Sequence, residues 1–188
     1  GMCIAPIVVF IGGIIGSELA SDVKFATLPV AFMVVGTALA ILPVTRLMQA
    51  FGRKPVFITG AIFSAFSALF ASYSITQKSF WGFTISLAFL GAGLAVIQQY
   101  RFAAMESVKP ERIASAASFV LLGGLIAALL GPELAQWGKD IFEASFAGSF
   151  SLLAIVCLLG AACLVFYQQA GLPSDEQSTQ KVDSARPM

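Results

Sequence analysis

Histidine is absent from the 188 residues of the chain. That removes the Ser-His-Asp triad, the HExxH metalloprotease helix, bis-histidine haem ligation and every zinc site that uses histidine. Charge is scarce as well. Only 11% of the residues are Asp, Glu, Lys or Arg, against roughly 25% in a soluble globular domain, so a soluble fold is not expected. The net charge of +1 comes with no basic stripe, and nucleic acid is therefore not an expected partner. Cysteine is limited to Cys3, Cys157 and Cys163. The last two fall about 240° apart around a helix, which reads as small apolar packing rather than a metal pair or a disulfide. No enzyme chemistry, metal or cofactor is expected.

What the chain does have is apolar length. Hydrophobic residues make up 58% of it and the mean hydropathy is +0.89. Uncharged runs cover Phe25 to Thr45, Pro55 to Gln77, Ser79 to Tyr100 and Ile113 to Pro132, and a fifth opens at Ala144. Each reaches the ~20 residues that a bilayer-spanning helix needs. The opening run from Gly1 is shorter but extends past Glu18 to Ala20, giving six expected spans at about 2–20, 25–47, 55–76, 79–101, 113–135 and 144–168. The expected organisation is a transmembrane bundle over 1–168, followed by a polar tail or linker over 169–188 rich in Ser, Asp, Gln, Glu and Pro. The start at Gly1-Met2 lacks the basic flank of a signal peptide and reads either as a cloning scar ahead of Met2 or as a missing natural start.

Cationic residues orient the spans, because loops rich in Lys and Arg are retained in the cytoplasm. Arg46, Arg53, Lys54, Arg101, Lys109, Arg112, Lys181 and Arg186 fall on one side, and Lys24, Lys78 and Lys139 on the other. Both termini are thus expected in the cytoplasm. The second span of each group of three carries a glycine followed by a proline, Gly36 with Pro43 and Gly124 with Pro132. Three spans per group place the two groups in opposite orientation, as in inverted-repeat transporters. Small residues such as Gly12 and Gly16, or Gly91 and Gly93, suit close helix packing.

The stretch from Pro43 to Pro55 reads as a short cationic turn ending in Gly52-Arg53-Lys54. It resembles the loop between helices two and three of the major facilitator superfamily, Gly-x3-Asp-(Arg/Lys)-x-Gly-(Arg/Lys)-(Arg/Lys), whose last three positions are kept. Thr45, Gln49 and Ala50 stand at the first glycine, the aspartate and the following base. In the family that aspartate joins a cytoplasmic charge network holding the outward-facing state, and with Gln49 the resemblance does not extend to this latch. Arg46 is expected to replace part of the lost base by pairing with Glu106 or Glu111. Leu121 to Glu133, with Gly124, Gly131 and Pro132, resembles the helix-five Gly-Pro element of antiporter branches, although Ala135 and Gln136 stand where that family has further glycines. Gln98 to Glu106 adds to the likeness, which covers 2–168 and matches the amino-terminal half of a bacterial transporter built from two six-helix halves.

The resemblance implies an all-α, polytopic protein of the cell inner membrane, six helices in two inverted three-helix repeats. It implies alternating access against a second six-helix half or a homodimer partner, with a small-molecule substrate. The rival reading is a non-transporting six-helix scaffold or partner subunit; a channel is disfavoured, since no span carries a ring-forming charge. At midplane depth there is no ionisable residue, and Glu18 and Glu133 lie at helix ends. Phe10, Phe32, Met33, Phe89 and Phe119 line an apolar cavity if they face inward, which favours a hydrophobic or amphipathic solute. Gln98 and Gln99 either bind that solute or bond to a neighbouring helix, and Arg101 either meets an anionic group or anchors its helix in the headgroups.

Overall fold

The structure, a computed structural model, describes residues 4–20, 22–100, 113–139 and 146–166. Six α-helices follow one another among them: α1 (Ile4–Leu19), α2 (Leu28–Phe51), α3 (Arg53–Thr76), α4 (Phe80–Gln98), α5 (Ile113–Trp137) and α6 (Ala147–Phe166). A 3-10 turn at Val23–Phe25 links the first two, and no strand occurs among the described residues. The fold is all-α, as a chain that must satisfy every backbone N–H and C=O inside a bilayer requires. Helices α2 to α6 are long and apolar enough to cross a membrane. At 16 residues α1 is shorter, spanning ~24 Å at 1.5 Å per residue.

Burial shows which faces meet. In α1, Ile4, Ile7, Val8, Ile11 and Ile15 are buried, a stripe at helical spacing that faces α2, α4 and α5. Helix α3 lies against both α4 and α6, and α2 against α4. Phe83 of α4 and Phe150 of α6 are fully buried and meet edge to face, 5.5 Å between centroids. A second apolar cluster joins Ala40 and Val44 of α2, Val56 and Phe57 of α3, and Ala95 and Val96 of α4 at the opposite end of the bundle.

Polar contacts between helices fall where two backbones come close. The Ser72 hydroxyl donates to the Ala147 carbonyl at 2.8 Å and lies 3.0 Å from Ser151 Oγ, tying α3 to the first turn of α6. Lacking water as a competitor, such bonds contribute about 0.6–2 kcal/mol. Other buried hydroxyls, Ser64 and Ser67 among them, bond back to carbonyls of their own helix. The described connections from α2 to α3 and from α3 to α4 are tight. Between α3 and α4 the chain reverses through Gln77, Lys78 at φ 50 and Ser79, whose Oγ accepts the Gly82 N–H and caps α4.

The segment expected as a turn over 43–55 is mostly helix. Helix α2 continues through Pro43 to Phe51, α3 starts at Arg53, and Gly52 alone separates them. Pro43 does not end α2 because each proline removes one helical bond only, here that to the Leu39 carbonyl, and tertiary packing holds the rest. Pro132 sits inside α5 in the same way, above Ala128.

Candidate functional site

The crossing of α2 and α4 forms the floor of the site. Gly36 lies against the Ala88 carbonyl, and Gly91 lies against the Met33 carbonyl. Each glycine faces the other helix's backbone, so the helices approach more closely than any side chain would allow. The Thr37 hydroxyl sits in this contact, 2.9 Å from both the Met33 and Gly91 carbonyl oxygens. Its polar atom is thus used within the protein, and its buried methyl contributes an apolar wall.

Beside this crossing runs a groove of about 250 Å³. Met33, Val34, Thr37, Ala38 and Ile41 of α2 form one side, and Leu94 and Gln98 of α4 the other. The walls are apolar, and the exposed amide of Gln98 stands at one end. A few placed polar groups in an apolar concavity are the usual makeup of a small-molecule site. This one suits a solute with an apolar body and a hydrogen-bonding edge.

Of the residues singled out as substrate-facing, Gln98 lines the groove and Gln99 is half-buried next to it. Phe10, Phe32, Phe89 and Phe119 are all exposed, Phe119 at 73%. Phe89 turns toward α3 and pairs edge to face with Phe63, at 5.9 Å. The structure therefore does not gather the phenylalanines into one wall. Met33, singled out with the phenylalanines, is buried and lines the groove, whereas Val34, Thr37, Ala38 and Ile41 were not singled out. Their signal in the sequence is the Gly36-Thr37 pair at midplane depth, a small residue next to a hydroxyl.

The cationic motif forms a corner at the end of the bundle. Arg46 and Gln49 are exposed on the last turns of α2, and Arg53 and Lys54 are half-buried on the first turn of α3. Lys54 Nζ donates to the Val165 carbonyl at 3.1 Å, a cation on the last turn of α6, where the helix dipole favours one. Arg101 and Glu106 lie outside the described residues, as does Glu111. In α5, Gly131 packs on Pro6 of α1, Pro132 and Gly124 are half-buried, and the chain continues to Gly138 against Ser149.

Gly52 turns the corner with φ 84 and ψ 167, a backbone region that essentially only glycine adopts. A methyl there would meet nothing within 4 Å, so the constraint is conformational and not spatial. We expect Gly52→Ala to cost about 1–3 kcal/mol, read as a lower thermal midpoint of the purified protein. An unchanged midpoint would show that the corner relaxes freely.

These features define a polytopic α-helical membrane protein with a groove at a close helix crossing and a cationic corner. Residues 1–187 match the family model of the Major Facilitator Superfamily; the chain belongs to this family of membrane transporters. It is similar to a riboflavin transporter of Brucella anthropi, 36% identical over 184 residues, which are 97% of this chain and 46% of that protein. Two uncharacterized MFS-type transporters of Bacillus subtilis are 29% and 24% identical, over 83% and 84% of this chain and 37% of each relative. The chain thus spans about half the length of the curated relatives it matches or less. No solved structure matches it significantly.

Proposed function

We propose that this chain forms one half of a secondary transporter that moves a small amphipathic solute across the cell membrane by alternating access. The observation that carries the reading is the groove between α2 and α4, apolar along its walls and ended by the Gln98 amide. The similarity to a riboflavin transporter supports it, because a flavin joins a planar apolar ring system to hydrogen-bonding edges. A second six-helix bundle, on the same polypeptide or a partner, covers the exposed sides of α2 and α5. Only 28% of the α2 span and 11% of the α5 span are buried, against 56% for α3 and for α4. The cationic corner at Gly52 faces the cytoplasm, in keeping with the excess of Lys and Arg on that side, and both termini lie there.

The test is accumulation of labelled riboflavin in proteoliposomes holding this chain together with its second six-helix bundle, under imposed proton and sodium gradients. Saturable accumulation that collapses when the gradient is dissipated is the expected result. Absence of transport of riboflavin and of related amphipathic solutes by a protein that retains its helical fold would overturn the reading and leave the half as a non-transporting subunit.

A further inference from the structure

A second cavity, of about 330 Å³, lies away from the groove between α3, α4 and α6. Ala61 and Ser64 of α3 form its inner wall, Tyr100 closes one end beyond α4, and Gly160, Cys163 and Leu164 of α6 frame the other side. Ser64 directs its hydroxyl to the Gly60 carbonyl of its own helix, 2.8 Å away, so the wall it presents is close to apolar. Tyr100 is held by the edge of Phe57 at 4.7 Å. The inner wall is buried and Cys163 is exposed, which places the mouth at Cys163. The same helix exposes Ile155, Leu158 and Leu159; around a spanning helix of this kind the solvent is hydrocarbon.

Lys54, next to Arg53 on the first turn of α3, marks the headgroup level above this mouth. Lys54 is bound to the Val165 carbonyl, the residue after Leu164 in the cavity's frame, and it precedes Ala61 by seven positions, about 10 Å along α3. An ammonium has three donors, so this bond leaves the charge able to meet a phosphate oxygen. A point charge at the end of the helices, with an apolar cavity opening beside the adjacent residue of α6, suits a lipid whose phosphate meets the cation while its acyl chain enters below.

We propose that this is a binding site for an anionic phospholipid, with the acyl chain entering past Cys163 into the cavity and the phosphate held by Lys54. The lipid acts as a wedge that fixes α3 and α6 at this end. The site shares no residue with the α2–α4 groove, so its occupancy and solute transport are separate questions.

The test is native mass spectrometry of the full chain, delipidated in detergent and supplied with phosphatidylglycerol or phosphatidylcholine of identical chains. The wild type is expected to retain phosphatidylglycerol preferentially. Lys54→Gln should lower that retention about five-fold, the effect of one cation near an anionic lipid, and Lys54→Arg should restore it. Gly160→Leu fills the cavity and should abolish retention of both lipids; Cys163→Trp blocks the exposed mouth and keeps the test standing where the first variant fails to fold. Equal retention of the two lipids by the wild type, or undiminished phosphatidylglycerol retention in both cavity variants, would overturn the proposal. So would equal retention of glycerophosphate without acyl chains.

Discussion

Gly91→Val should prevent the bundle from assembling, whereas Gly123→Ala should leave it intact. At Gly91 an added Cβ runs into the Met33 carbonyl and comes within 3.0 Å of the Thr37 amide nitrogen. Both obstacles are backbone, which has no rotamer to change. Overpacking of a core costs about 1–3 kcal/mol and more where nothing yields; here α2 and α4 must separate along their contact, so the upper end applies. Separation also breaks the bond from Thr37 to the Gly91 carbonyl. Gly36→Val should behave like Gly91→Val, because its Cβ meets the Ala88 carbonyl. At Gly13 and Gly123 nothing lies within 4 Å, and alanine there should leave stability unchanged or raise it by up to about 1 kcal/mol. Monodisperse yield in detergent and the thermal midpoint separate the two groups. Should Gly91→Val match Gly123→Ala in both, the helices do not cross at this distance.

This contrast also shows what the sequence could and could not tell. Gly91 and Gly123 look alike in the primary structure, each in a run of small residues inside an apolar span. Hydropathy located the spans, since the absence of charge over twenty residues is a property of each segment alone. Contact is a property of pairs. Helices that are apolar all round have no polar face to reveal which side turns inward, so the inward or outward setting of Phe10, Phe32, Phe89 and Phe119 was not legible. In α1 the buried side of Ile4, Ile7, Val8, Ile11 and Ile15 was no more legible, since Val9, Phe10 and Ile14 on the exposed side are equally apolar.

The cationic turn is a different case. Gly52, Arg53 and Lys54 were recognisable as a motif, but the turn was read over 43–55 because Arg46, Arg53 and Lys54 interrupt the apolar runs, whereas the helices continue through these charges. A proline within a long membrane helix costs one bond and little else once neighbours support the backbone. The role of Lys54 at the end of α6 joins residues 111 positions apart, and no local pattern announces such a contact. The membership of the family followed from the order of spans and the motif together, and the match over residues 1–187 agrees with it.

Ala38→Trp should reduce solute uptake to background while leaving the protein folded. Ala38 lines the groove and is exposed, so an indole there projects into a space of about 250 Å³ and not into the core. Ile155→Trp, on the exposed side of α6, adds the same bulk away from the groove and should retain wild-type uptake. Gln98→Leu poses the finer question. If the amide bonds the solute equally in both access states, its loss removes uniform binding, raising KM about two- to ten-fold for one net hydrogen bond with little change in turnover. If instead the amide supports the helix end, Gln98→Leu lowers the thermal midpoint and leaves KM unchanged. Uptake by Ala38→Trp equal to that of Ile155→Trp would place the solute path outside the α2–α4 groove, since no solute large enough to need the groove could share it with an indole.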